Sequence, residues 1–474
     1  MQRLPPLPAL VPRNHAGHQF VCYADSCSGV PGAPHEAAFA AMNAVVSRLS
    51  PQPQFICFPG DEIAGLTADD EALRGQWRYW LDREMLWLDR KAIPLYHTTG
   101  NHTTYDRASE AVFRAVLAHL PANGPRGHEG LAYFVRRNDL LLVFVDTAST
   151  VLGGEGRVET EWLDQTLAEN ADAKHKLVFG HHPVLSVNGF AGAHQRDIEP
   201  ENGRIFWTVL TRHRVLAYVC SHILAFDVQV HGGVLQIVTA GAGTAHRMPP
   251  EHEYLHCVQA ALDDQGLRYQ VLDAAGRIRE WLQWPVEMPA SADWVELTND
   301  NTDRGLPDAE QGACRARLTA YRITGVLPPA GDASPQTLVC AGGTADALPA
   351  IWIGLTGREN RMTVLMSPAA GRSPHHWYGP AFRAGERFSV QLALHTGMGP
   401  GGILWREDDR APWSSLAASS PWGAERLSWP IPVSVGFDER GPCGRPFRGR
   451  DLRVHGCEEI LTLDGCRQLG PHAG

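Results

Sequence analysis

Along the first 285 residues, short apolar runs alternate with longer stretches whose apolar positions recur every three or four residues. That alternation is the signature of strands interleaved with amphipathic helices. QFVCYAD, FICFPGD, IPLYHTTGNH, LLLVFVDT, KLVFGHHPV and VLAYVCSH predict six strands. HEAAFAAMNAVVSRLS, DDEALRGQWRYWLDREMLWLDRK, SEAVFRAVLAHL, VETEWLDQTLAEN and GRIFWTVLTRHR predict five helices. From Asp227 to about Arg279 the chain turns to strand-length segments parted by GG, DDQG and DAAG. Such turns predict antiparallel closing strands on a layered α/β domain.

Beyond WLQWPVEMPASADWVE, helical periodicity fades, while prolines, glycines and tryptophans rise. AIWIGLTG, RMTVLMS, RFSVQLALH and PIPVSVGF alternate with turn-rich stretches, which predicts an all-β sandwich. The expected organisation is a loose, Pro-rich arm over 1–17, an α/β domain over 18–288 and the sandwich over 289–474. Seventeen of the 22 histidines fall at or before His256, which locates imidazole chemistry in the first domain.

The 474 residues suit more than one domain, at roughly 150 residues each. A net charge of −10 removes electrostatic support for a nucleic-acid or anionic-membrane surface. No run approaches the roughly 18 to 20 apolar residues of a membrane span, and the N-terminal stretch has no apolar core like that of an export signal. Of ten cysteines, Cys22, Cys57 and Cys220 sit in apolar runs as small hydrophobes. Cys443, Cys457 and Cys466 either pair or remain buried thiols; the latter reading fits a reduced, cytoplasmic protein.

Five predicted strands end in polar clusters: Asp25, Asp61, Asn101 with His102, His181 with His182, and His222. In an open α/β sheet the carboxyl ends of strands converge on one rim, so these residues can surround a cation. A donor set of Asp, Asn and His suits Mn, Fe or Zn.

The order Asp25, Gly60-Asp61, Gly100-Asn101-His102, Gly180-His181-His182-Pro183, Ser221-His222 resembles that of the calcineurin-like metallophosphoesterases, over about residues 18 to 285. LLLVFVDTAS with Trp162-Leu163, and VLQIVTAGAG, are similar to further segments of that family. The resemblance implies a four-layer α/β/β/α domain and hydrolysis of phosphomonoesters or phosphodiesters by in-line attack of metal-bound water. It implies Asp61 as a bridge between two metals, Asn101, His181 and His222 completing the second position, and His102 acting on the leaving group. His182 is expected to support or pack rather than ligate.

The first position departs from the family pattern. Asp25 and Asp61 are present, but Cys27 stands where the family carries His, Ala64 where one branch carries Tyr, and Leu224 where a second His would ligate. One or two ions per chain are therefore expected, with Cys27 as a candidate thiolate. His18, His35, His97, His246, His252 and His256 match no family position. The alternatives are an impaired phosphoesterase fold acting as a carbohydrate- or protein-binding module, or a metalloenzyme using one redox-active ion.

FRAGERFSVQLALH, GGILWRE and Arg445-Pro-Phe-Arg-Gly-Arg-Asp-Leu-Arg-Val454 resemble segments of concanavalin-like and laminin-G-like jelly rolls. That resemblance implies a concave sheet on which Trp377, Tyr378, Trp405, Trp413 and Trp422 either stack on a glycan or pack. A small-molecule or glycan-linked phosphoester is the expected partner, with neither nucleic acid nor membrane; the sequence leaves the oligomeric state open.

Overall fold

The computed structural model describes residues 5–148, 156–190, 197–243, 252–289, 293–299, 314–329, 334–341, 351–367, 375–419, 433–437 and 445–466. The chain forms two units, the first running to Val187 and from Ala191 to Pro285, then resuming at Leu463; the second takes Asn188–Phe190 and Val286–Thr462.

Unit 1 contains, in chain order, β1 (Leu7–Pro8), β2 (His18–Cys22), α1 (Pro34–Val46), β3 (Leu49–Ser50), β4 (Phe55–Phe58), α2 (Asp70–Tyr79), β5 (Leu95–His97), α3 (Arg107–Val116), β6 (Tyr133–Arg137), β7 (Leu140–Phe144), α4 (Thr160–Glu169), β8 (His175–Phe179), α5 (Pro200–Arg212), β9 (Ala217–Cys220), β10 (Phe226–His231), β11 (Val234–Thr239), β12 (His256–Asp263), β13 (Gly266–Asp273) and β14 (Ile278–Trp284). Two six-stranded mixed sheets result, ordered β14-β13-β12-β2-β4-β5 and β10-β11-β9-β8-β7-β6. In the first, β2, β4 and β5 are parallel. In the second, β7, β8, β9 and β11 are parallel. Every residue of β4, β7 and β9 is buried, so these strands read as unbroken apolar runs rather than alternating ones.

All six strands and five helices expected from the pattern occur, with three differences. The closing strands split between the sheets: β10 and β11 form a hairpin, but β11 runs parallel to β9, while β12 pairs with β2 in the other sheet. Turn residues reveal which segments are joined; they do not reveal the next partner. The long helix expected over residues 69–91 stops at Tyr79 and continues as a π-helical turn, Trp80–Glu84. The wider turn seats Trp80 on Phe39, with ring centroids 5.5 Å apart. It also brings Trp80 Nε1 to Ser26 Oγ (3.0 Å) and Glu84 to the Gly29 amide (3.0 Å). Finally, residues 5–17 are not a loose arm. β1 pairs with β3, Leu7 and Leu10 are buried, and the Leu10 amide donates to Gln259 Oε1 at 2.7 Å.

A charged cluster anchors the returning C-terminal segment. The Arg268 and Asp263 side chains, 1% and 0% exposed, pair at 3.1 Å. Arg268 Nη1 also donates to the Asp464 carbonyl (2.5 Å), and Arg13 Nε to Asp464 Oδ2 (2.6 Å). Residues from Leu463 therefore belong with unit 1 rather than with the sandwich.

Unit 2 is all-β. One antiparallel sheet orders Val295–Glu296, Arg450–Thr462, Arg315–Val326, Arg387–His395, Ile403–Arg406 and Ser414–Ser415; the other orders Ala417–Ala418, His375–Ala381, Arg361–Met366, Ile351–Leu355, Gln336–Ala341 and Val433–Val435. Ile323, Val390 and Leu392 from the first sheet join Ile353, Val364 and Trp377 from the second in one apolar core. This placement corrects the aromatic-platform reading. Trp377 is a core residue, Trp413 is 5% exposed with the Arg406 guanidinium 4.3 Å from its ring, and Trp405 packs on the core. Tyr378 is more open and lines a shallow depression with Thr356, Arg358, Glu359 and Arg361; Trp422 lies outside the described residues.

The cysteines also need correction. Cys314, Cys340 and Cys466 are disulfide-bonded, so Cys466 is not a buried thiol, whereas Cys457 is free and Cys443 lies outside the described residues. In unit 1, Cys22, Cys27, Cys57, Cys220 and Cys257 are free thiols. Disulfides persist in oxidising compartments and are rare in a reduced cytosol. The cytoplasmic expectation thereby loses its basis. No helix among the described residues is long and apolar enough to cross a membrane.

Candidate metal centre

Each implicated side chain follows the carboxyl end of a parallel strand: Asp25 and Cys27 follow β2, Asp61 β4, Asn101 and His102 β5, His181 β8 and His222 β9. The chain must turn sharply there. Asp25 (φ 59°), Cys27 (φ 43°), Asp61 (φ 57°) and His222 (φ 67°) all adopt the left-handed region, which costs a residue bearing a Cβ of order 1 kcal/mol or more. Backbone bonds hold the strained turns together: the Cys27 amide donates to the Asp61 carbonyl at 2.8 Å, and the Asp25 amide to the Gly60 carbonyl at 3.2 Å. Just beyond, Asp106 caps α3 through a reciprocal bond with Ser109, fixing the exit of the Asn101-His102 loop.

Four donor atoms face one another. His181 Nε2 lies 3.2 Å from Asp61 Oδ2, 3.0 Å from Asn101 Oδ1 and 3.1 Å from His222 Nδ1, and His222 Nδ1 lies 2.8 Å from Asn101 Oδ1. Edges near 3 Å are what donors each about 2 Å from one shared ion produce. The outer bonds orient the rings: His181 Nδ1 is 2.9 Å from the Pro59 carbonyl and 2.9 Å from Ser221 Oγ, which leaves Nε2 to face inward. Burial alone would depress the His181 pKa, but the Asp61 charge and hydrogen bond lift it to about 9. Burial alone would raise Asp61; the charges of His181 and His102 outweigh it and hold the carboxyl well below its usual range. A divalent cation would take the place of the proton that Asp61 draws onto His181.

The other half is less complete. Cys27, Asp61 and His102 offer ligand atoms within 4.8 Å of one another. Asp25 is buried beside them, with Oδ2 accepting the His222 amide at 3.1 Å, and burial raises its pKa to about 7. Leu224 brings no donor. His102 donates its amide to Asp61 Oδ1 (2.8 Å), and its Nδ1 lies 2.8 Å from the Ala64 carbonyl. That second contact engages Nδ1 and leaves Nε2 as the ring's other nitrogen.

Further supports come from outside the donor motifs, among them Asp146 and Thr147 of the LLLVFVDTAS segment, and His182 takes the supporting place expected of it. Thr147 Oγ1 accepts the His181 and His182 amides at 3.2 Å each and lies 2.9 Å from His182 Nδ1, so His182 is a tied, buried support. His128 Nδ1 contacts Asp146 Oδ2 (2.8 Å), and Asp146 Oδ1 accepts Thr99 Oγ1 (2.7 Å), two residues before Asn101. Next to Asp61 in the chain, Glu62 forms a buried 2.8 Å contact with His97; burial pushes the Glu62 carboxyl up and His97 down to about 3. Partial burial, with the charge of His102 after it, lowers the His35 pKa. Of the unmatched histidines, His18 starts β2 at the far end of the sheet, His256 is buried beside Gly241, and His246 lies outside the described residues. Proximity in the chain marks none of these contacts, because each joins segments from different loops.

No protein-family model matches the chain, and no curated protein matches it in sequence. Solved structures do resemble it. The purple acid phosphatase PPD1 from yellow lupin seeds is 12% identical with a TM-score of 0.42, over 58% of this chain and 55% of that one. The GAP50 anchor in the inner membrane complex of Plasmodium is 12% identical with a TM-score of 0.40, over 57% and 90%. A dimetal phosphatase from Danio rerio is 16% identical with a TM-score of 0.37, over 54% and 95%.

Proposed function

We propose that unit 1 is a metal-dependent hydrolase of phosphomonoesters or phosphodiesters. The observation that carries this reading is the cluster of donors centred on His181 Nε2, which lies 3.0 to 3.2 Å from Asp61 Oδ2, Asn101 Oδ1 and His222 Nδ1. The order of the sequence motifs supports it independently. A divalent ion bound there supplies a lowered pKa for water and neutralises charge on phosphate oxygens. The four donors fit one such ion, Mn, Fe or Zn by ligand type. Asp25, Asp61 and Cys27 offer a weaker second position. A four-layer arrangement of unit 1 and a jelly-roll form of unit 2 belong to the same proposal.

The chain's own groups have separable tasks. Pro59 and Ser221 fix the His181 ring so that its Nε2 stays directed at the centre. The His102 amide holds Asp61 Oδ1, which leaves Oδ2 toward His181. His102, held at Nδ1 by Ala64, presents Nε2 as a proton donor to a departing alkoxide. Thr147 holds His182 at Nδ1, with the His182 ring packed beside His222 at 4.4 Å between centroids.

Replacing Asn101 or His181 by Ala should abolish turnover of a chromogenic phosphoester while the far-ultraviolet circular dichroism is retained. Chelation should do the same to the parent protein, and Mn, Fe or Zn should restore it. Unchanged turnover in either variant sinks the assignment.

A further inference from the structure

At the opposite end of unit 1 a second group of ligands gathers with no part in the chemistry above. His18 is the first residue of β2, His175 the first of β8, Asp139 precedes β7, and Asp264 lies in the turn between β12 and β13. The centre described above follows the other ends of β2 and β8. A five-residue strand spans about 17 Å, so the two groups are well separated.

Asp139, His175 and Asp264 offer ligand atoms within 4.8 Å of one another. His175 Nε2 is buried and has no hydrogen-bond partner. A buried imidazole nitrogen left unpaired is costly, so it calls for a ligand. The nearest acid atom, Asp139 Oδ2, is 3.9 Å away, too far for a hydrogen bond. Two donors on one tetrahedral ion, each at about 2.0 to 2.2 Å, stand about 3.4 Å apart. A side-chain adjustment of about half an ångström would bring both atoms onto one cation.

The surroundings are those of a metal ligand set. His18 Nε2 holds the other Asp139 oxygen, Oδ1, at 2.8 Å, which orients Oδ2 toward His175. The His175 amide donates to the Asp139 carbonyl at 3.0 Å, so ring and carboxylate share one rigid corner. Asp264 pairs through Oδ1 with Lys174 Nζ, leaving Oδ2 for a cation. With a 62% exposed side chain, Asp264 also marks the solvent route by which an ion enters.

We propose that His175 Nε2, Asp139 Oδ2 and Asp264 bind a zinc-class divalent ion, with His18 positioning Asp139 and water completing the coordination. One imidazole with carboxylates matches the borderline preference of Zn²⁺. Asp264 and His18 belong to the sheet containing β2 and β12, whereas Asp139 and His175 belong to the sheet containing β7 and β8. The ion would therefore tie the two sheets at the end where no catalytic group lies.

The test uses the full chain with the candidate centre silenced by Asp61→Asn and His181→Ala, titrated with Zn²⁺ by isothermal calorimetry. One equivalent should still bind and should raise the thermal midpoint. Adding Asp264→Asn, an exposed change that leaves the fold intact, should weaken binding at least tenfold; His175→Gln should abolish it. In the otherwise unaltered chain, Asp264→Asn should leave phosphoester turnover unchanged. Absence of Zn²⁺ binding in the silenced chain overturns the proposal, as does binding indifferent to Asp264→Asn and His175→Gln. If the unaltered chain binds one equivalent and His175→Gln removes it, the distal site stands and the phosphoesterase reading fails.

Discussion

Gly100 shows how little freedom the centre has. A Cβ built on it would lie 2.2 Å from Asp61 Oδ1 and 2.6 Å from the Asp61 amide, contacts that atoms of this size do not make. Gly100→Ala should therefore displace the carboxylate and lower kcat/KM for a phosphoester about 100-fold or more, since a misplacement near 1 Å costs that much. Circular dichroism should hold steady, because the shift is local. The glycine was legible in the sequence as part of Gly100-Asn101-His102, and so were Asp61, His181 and His222 as candidates, since each follows the end of an apolar strand within a few residues. Thr147, Ser221 and the His128-Asp146-Thr99 chain were not legible as supports. Their work is defined by partners in other loops, and no local spacing encodes a contact across 18 or more residues.

Elements were legible where burial imposes a period. The strands β4, β7 and β9 announced themselves because both faces are covered, and α3 and α5 because one face is. The interruption of α2 was not, since Trp77 and Trp80 keep an apolar spacing that a regular helix would share. The strand Arg387–His395 carries a consequence of its own. Its last residue, His395, is buried, and its Nδ1 accepts the Gly397 amide at 3.1 Å. Burial lowers its pKa to about 4, against 6.5 for the free side chain. The unfolded chain thus binds a proton that the folded strand refuses. Stability from this residue is fully present above pH 6.5 and is lost as pH falls toward 4, by on the order of 3 kcal/mol. Urea midpoints of the full chain should fall across that window, and His395→Gln should flatten the part of the fall that this residue causes.

On the scale of the whole molecule, the cysteines differ in state but do not divide by unit: Cys466, bonded, belongs to unit 1, and Cys457, free, to unit 2. Unit 1 carries free thiols at Cys22, Cys27, Cys57, Cys220 and Cys257, while Cys314, Cys340 and Cys466 are bonded. Reduction should therefore lower thermal stability by about 2 to 5 kcal/mol per lost bond. The candidate metal centre holds no disulfide, so the proposed phosphoester turnover at moderate temperature should survive the reductant; calorimetry and a phosphoester assay with and without it check both halves. Pairing among cysteines was beyond the sequence, because connectivity depends on which strands become neighbours. The change of texture placed a division at 288/289, close to Pro285, whereas the return from Leu463 to Gly474 left no signal because those twelve residues carry neither a helical nor a strand period.

That return has a practical consequence. Unit 1 is written in separate stretches of sequence, so unit 2 is topologically an insertion rather than an appendage. A fragment cut at Pro285, where composition invites the cut, would take Asp464 from both Arg13 and Arg268 and leave the guanidinium of Arg268 buried with Asp263 and Val11 as its remaining partners. A shorter linker replacing the insertion, joining Pro285 directly to Leu463, would restore those bonds and is the economical way to isolate the α/β half.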